Sequence, residues 1–139
     1  MNSLSLYLQK HEPTYPGISI WWESKVIPDM ASGIKVLYRF DKNLDVQGLG
    51  VLDLAQAKIC HLSLEHAVRG TGLGIAIFNL MKREARGNSI KTLWCHGPEW
   101  IVQDFCRWSN AKPIETLGTF GRKEIKDIKM EIKLCTTTQ

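Results

Sequence analysis

The stretch Lys58–Arg86, KICHLSLEHAVRGTGLGIAIFNLMKREAR, decides the fold. It opens with a strand-like run from Ile59 to Leu64, mostly apolar and uncharged. It turns through Arg69-Gly70-Thr71-Gly72-Leu73-Gly74 and resumes with apolar residues at Ile77, Phe78, Met81 and Ala85. That spacing puts the four on one helical face and turns Lys82, Arg83 and Arg86 elsewhere. Strand, glycine-rich turn and helix together make an arrangement suited to phosphate. Glycines let the backbone come close, and the first helical turn offers unpaired N–H groups and the positive end of the helix dipole.

Two common phosphate-binding patterns do not fit. A P-loop needs a Lys-Ser/Thr pair after its last glycine, which this turn lacks. The dinucleotide fingerprint is G-x-G-x-x-G, whereas Gly70, Gly72 and Gly74 are spaced G-x-G-x-G with no acidic residue at a fitting distance beyond. The flanking residues are more specific. Leu62-Ser63-Leu64, a short spacer, then Arg69-Gly70-Thr71-Gly72-Leu73-Gly74 and an amphipathic helix resembles the signature L-x-V-x-P-x-x-R-G-x-G-x-G of the GNAT-type N-acetyltransferases. Leu64 stands where that family usually has Val, and His66 where it often has Pro.

The resemblance implies an α/β (α+β) GNAT fold: a mixed, mostly antiparallel sheet with a splayed parallel strand pair and flanking helices. It implies acetyl-coenzyme A as cofactor, its pyrophosphate on the backbone of Arg69, Gly70, Thr71, Gly72, Leu73 and Gly74. The pantetheine arm would lie between the splayed strands against Leu62, Ser63 and Leu64. Splayed strands leave N–H and C=O groups that a peptide-like ligand satisfies. The implied activity is acetyl transfer to an amine of a small molecule or protein, by direct attack within a ternary complex. The alternative is a GNAT-fold module that binds coenzyme A or a partner protein without efficient catalysis.

A chain of 139 residues reads as a single domain, 1–139, with an ordinary globular composition. No apolar run has the length of a membrane span, and the N-terminus does not read as a signal peptide, so a cytoplasmic setting is expected. Cys60, Cys95, Cys106 and Cys135 are scattered without a C-x-x-C pair, which points to reduced thiols and no metal site. The net charge of +4 suits an anionic cofactor, and without a basic run or recognition motif it does not call for nucleic acid. An edge strand leaves homodimerisation open.

In chain order, Leu4–Lys10 reads as a short helix, and Ile18–Val26 as a second, ended by Pro28. Under the resemblance this region lines the acceptor side of the cleft, making Trp21 and Trp22 candidates for substrate binding; two tryptophans closing the core edge is the competing reading. Strands follow over Gly33–Phe40, Val46–Leu54 and Ile59–Leu64, an antiparallel meander with a turn at Asp41–Asn43. Gly48 and Gly50 mark a bulge or a close approach. After the helix, Gly87-Asn88 stops the chain and Ile90–Cys95 returns as a strand parallel to Ile59–Leu64. A helix over Pro98–Ser109 buries Ile101, Val102, Phe105 and Trp108. Ile114–Leu117 and Ile128–Leu134 form the last strands around a basic loop, Gly118–Lys126, and Cys135–Gln139 reads as a frayed tail.

Acetyl transfer needs a proton acceptor for the amine and a proton for the leaving thiolate. The family pattern N-x-x-A-x-x-x-Y-x-x-x-G-F, with Tyr as acid, falls here on Glu99, Val102, Cys106, Asn110 and Ala111, so every marked position differs. Cys106 takes the tyrosine position and is the candidate acid; the competing reading is a packing thiol. His61, on the central strand, is the candidate base, with Glu65 and Asp53 as second choices. His66 reads as solvent-exposed, and His96 as a residue of the helix N-terminal region with no further role.

Overall fold

A computed structural model of the chain describes residues 3–119 and 125–134. Six strands form one sheet in the order β1-β2-β3-β4-β6-β5, with β1 Lys35–Lys42, β2 Asp45–Asp53, β3 Lys58–Leu64, β4 Thr92–Pro98, β5 Lys112–Thr119 and β6 Lys126–Lys133. Every neighbouring pair is antiparallel except β3 and β4. These two are joined by the crossover helix α4, Leu73–Gly87, and run parallel.

Helices cover both faces. On one, α1 (Ser3–His11), α2 (Ile18–Trp21), a π-helical turn (Trp22–Val26) and α3 (Ile27–Ala31) bury Tyr7, Leu8, Trp22 and Val26 against Leu49 and Val51 of β2. On the other, α4 and α5 (Glu99–Ser109) pack on Leu52, Leu93, Met130 and Ile132. The helical periodicity holds in α4: Ile77, Phe78, Met81 and Ala85 are its buried residues. Phe78 meets Phe105 and Trp108 edge-on, with ring centroids 5.7 and 5.5 Å away.

The close approach foreseen at Gly48 and Gly50 is present, and it seats α4. A Cβ on Gly50 would stand 2.8 Å from Met81 Cε and 2.9 Å from Ile77 Cγ2, and one on Gly48 3.1 Å from Ile77 Cδ1. Only bare backbone lets the helix sit this low on β2. A bulge lies next to the first glycine: Phe40 faces Gly48 while Asp41 faces Val46, leaving Gln47 over.

Some boundaries differ from expectation. The second helix does not end at Pro28. It continues through the π-helical turn, closed by Ile27 N–H donating to Trp22 O, into α3 with Pro28 in its first turn. Pro28 needs no N–H there, and the wider turn before it gives its ring room. The first hairpin turns at Asn43–Leu44, both left-handed (φ 53° and 66°), so β1 takes in Asp41 and Lys42. Strand β4 runs through Gly97 and Pro98, and α5 starts only at Glu99, because Pro98 is extended (φ −65°, ψ 144°). Strand β5 is longer than Ile114–Leu117 and solvent-exposed throughout. Residues 120–124 of the expected basic loop and the tail from Cys135 onward lie outside the described residues.

Candidate active site

The site begins where β3 and β4 part. Their only paired position is Lys58 opposite Trp94, with Trp94 N–H donating to Ala57 O at 3.0 Å. Beyond it the strands diverge and open a cavity of about 160 Å³. Ile59, Leu62, Cys95, Phe105 and Met130 line it from the α4/α5 side; Tyr15, Lys58, Cys60, His61 and His96 are also in its wall. The cavity thus draws its lining from residues of both sheet faces.

Below Leu64, at the end of β3, a 3₁₀ turn (His66–Val68) leads into the glycines. Gly70 (φ 79°) and Gly72 (φ 90°) are left-handed, a conformation that side chains resist, and nothing lies within 4 Å of where their Cβ atoms would stand. Gly72 caps α4 without any side-chain hydrogen bond. The N–H groups of the first turn of α4 therefore have neither an intrahelical nor a side-chain partner, and the loop is solvent-exposed. The guanidinium of Arg69 donates to Leu64 O at 3.3 and 3.4 Å, tying the loop to the strand end.

On the α1/α2 side of β3 the side chains form a buried polar chain. Tyr7 Oη and Ser63 Oγ are 2.7 Å apart, and Ser63 Oγ is 2.7 Å from His61 Nε2. Tyr15 meets His61 edge-on with centroids 4.9 Å apart. Burial, aided by the nearby His11, pushes the His61 imidazole down to about 3. Burial also pushes the hydroxyl of Tyr15 and the thiols of Cys60 and Cys95 up, Cys95 to about 12.

No family model matches the chain, and no curated protein matches it. Solved structures do. An acetyltransferase assigned to the GNAT family of Desulfovibrio desulfuricans superposes with a TM-score of 0.71 at 12% identity, over 85% of this chain and 81% of that one. An aminoglycoside 6'-N-acetyltransferase complexed with coenzyme A gives 0.71 at 11% identity, over 93% and 89%. The ribosomal-protein-S18-alanine N-acetyltransferase of Escherichia coli gives 0.61 at 11%, over 81% and 79%. This chain has the GNAT fold.

Within the GNAT fold the candidate residues separate. Leu62, Ser63 and Leu64 lie at the end of β3, and Arg69, Gly70, Thr71, Gly72, Leu73 and Gly74 follow as one loop leading into α4. Trp21 is half-exposed, with its ring centroid 6.3 Å from that of His61. Trp22 is a correction: it is only 4% exposed, in the core with Val26 and Leu49, so it cannot touch a substrate. The π-helical turn brings Trp22 and Val26 onto the core-facing side together.

Glu65 does not line the cavity. It is bound by Lys10 Nζ and His11 Nε2, each at 3.1 Å. Its burial would raise the carboxyl, but these two hydrogen bonds hold it below its ordinary value. Asp53 is equally committed. It accepts from Gln56 N–H at 2.8 Å and pairs with Lys35 at 3.1 Å, and these contacts outweigh burial to hold it low. Cys106 packs its thiol 3.7 Å from Met130 Sδ, burial pushes it up, and its neighbour Phe105 faces the cavity instead.

The sequence reading passed over one pair. His96 lines the cavity from β4, and its Nδ1 lies 2.9 Å from Asp127 Oδ1 on β6. Thirty-one positions separate the two in the chain, so only strand pairing brings them together. A histidine directly after the strand expected to splay, Ile90–Cys95, was the one available signal.

Proposed function

We propose that this protein transfers an acetyl group from acetyl-coenzyme A to an amine. One observation carries the reading: the uncapped, left-handed Gly70/Gly72 turn lies directly below a parallel strand pair that separates around a cavity. The first is a fit for pyrophosphate, the second for an amide-bearing arm. GNAT-fold structures solved with coenzyme A and, in Elizabethkingia anophelis, with acetyl-CoA bound support the choice of ligand.

When bound, acetyl-coenzyme A supplies the activated acyl group. The N–H groups of Gly70 to Gly74 would hold its phosphates, and the net charge of +4 assists a polyanion. Unpaired backbone near Leu64 would hold the arm. Tyr15 and His61 would wall the side towards the acceptor, with Trp21 next to His61. Among the described residues, no carboxylate lines the cavity. This favours an acceptor presenting a single amine over a polycation. The acceptor class is a small molecule or a protein amine.

A second reading, coenzyme A binding without efficient turnover, draws on the position of Cys106. The thiol in the family's acid register rests against Met130 rather than in the cavity wall. A screen of amines, following thiol release from acetyl-coenzyme A, separates the two. Acyl transfer to any amine well above the hydrolysis background supports the enzyme. Thiol release no faster with any amine than without, in a protein that binds the cofactor, supports the module.

A further inference from the structure

Of the side chains lining the cavity, most cannot take up a proton near neutrality. Tyr15, Cys60 and Cys95 are pushed by burial towards their protonated forms, and His61 is held neutral and engaged with Ser63. Lys58 directs its ammonium over the Trp94 ring, 4.7 Å from the centroid. His96 differs in geometry from all of these. Its ring stacks on Trp94 with centroids 6.0 Å apart and planes at 24°, and Asp127 fixes Nδ1. A carboxylate on Nδ1 sets the tautomer with the proton there, leaving the Nε2 lone pair as the free acceptor. Nε2 has no hydrogen-bond partner among the described residues, and the side chain is about one-third exposed.

We propose that His96, aligned by Asp127, accepts the proton from the acceptor amine. The inference rests on the acyl-transfer reading. The incoming ammonium gives one proton to His96 Nε2 and keeps its lone pair as a neutral amine. The resulting imidazolium is stabilised by Asp127 and returns its proton to solvent. In the transfer that follows, the C–N bond forms as the C–S bond breaks, and the second amine proton leaves with the thiol. Asp127 touches only the imidazole and is a positioning residue. The other charged groups around His96 are Lys129 and Glu131 of β6, Lys58 of β3 and Glu99 at the start of α5. Lys129 sits 4.9 Å from the Trp94 centroid, and Glu99 accepts from Lys126 N–H, so neither bonds the ring.

The test reads protonation and turnover separately. In the free protein, 15N NMR of the imidazole resonances, assigned with His96→Gln, should show neutral His96 carrying its proton on Nδ1 with Nε2 bare. Asp127→Asn should weaken that preference, since the carboxylate that accepts from Nδ1–H is gone. With an amine found by the screen, kcat/KM should fall along an acid limb, and Asp127→Asn should move that limb to lower pH, since the anion favouring imidazolium is gone. His96→Gln should remove the limb and lower kcat/KM by about 100-fold or more. Its acetyl-coenzyme A affinity, measured by calorimetry, should stay within about twofold, which also shows that the variant is folded. Wild-type kcat/KM and an intact limb in His96→Gln would overturn the inference alone, as would a neutral His96 with its proton on Nε2. A wild-type protein that binds no acetyl-coenzyme A would overturn the acyl-transfer reading and this inference with it.

Discussion

The buried imidazole of His61 makes stability depend on pH in a predictable window. In the unfolded chain it takes up a proton near 6.5; in the folded chain burial delays this to about 3. The sign follows directly. Below pH 6.5 the unfolded state binds a proton that the folded state refuses, so falling pH favours unfolding until about pH 3. The loss is about 1.4 kcal/mol for each pH unit in that interval. By pH 4 it amounts to about 3 kcal/mol, a large part of the 5–15 kcal/mol typical of a domain. The assay is urea unfolding followed by tryptophan fluorescence at several values between pH 7 and 4, on wild type and His61→Gln. The variant keeps a polar partner for Ser63 but removes the titration, so its stability should be nearly flat down to pH 5. The depressed carboxyls of Glu65 and Asp53 lose their contribution only below their ordinary values of 4.5 and 3.8, outside the upper part of the window. An equal slope in wild type and His61→Gln between pH 6.5 and 5 would refute the assignment of a buried, neutral His61.

Other consequences follow from packing. Phe78 is 2% exposed and anchors the aromatic cluster with Phe105 and Trp108, so Phe78→Ala should cost about 3–5 kcal/mol in chemical denaturation. A loss below 1 kcal/mol would mean that Phe78 does not anchor α4 against α5 as described. Cys106→Ala should leave kcat and acetyl-coenzyme A affinity within about twofold, because its thiol packs on Met130 and solvent can supply the leaving-group proton. A drop in kcat of tenfold or more, with unchanged affinity, would restore Cys106 as the acid.

Much of the molecule was legible in the chain wherever one local rule governed a residue. Ile77, Phe78, Met81 and Ala85 sit on one face because a fifteen-residue helix repeats its period long enough to show it. The crossover through α4 required β4 to return parallel to β3, and the splay came with the family resemblance. What escaped notice depends on more than one element. Pro28 reads as a stop from its own chemistry, and only the π-helical turn before it removes the conflict. Trp21 and Trp22 are neighbours of the same type, yet one edges the site and the other fills the core. That difference is set by the π-helical turn packing Trp22 and Val26 on β2, which no local pattern records. The His96–Asp127 pair comes from the register of β4 against β6, fixed by the whole sheet. His61 suggested a base by type and position, but its burial, and hence its neutrality, is contributed by α1 and α2.

The central claim is that Arg69–Gly74 and the β3/β4 splay hold acetyl-coenzyme A. Calorimetric titration of acetyl-coenzyme A into the purified protein, beside Gly72→Glu, tests it most directly. Gly72 is left-handed and caps α4, so a glutamate there adds strain, bulk and a negative charge where phosphate would sit. Circular dichroism of the variant checks that the fold is kept. The account predicts binding by the wild type in the micromolar range and a loss of about 100-fold or more in a folded Gly72→Glu. Equal affinity in both proteins, or no binding by the wild type at millimolar ligand, would contradict it.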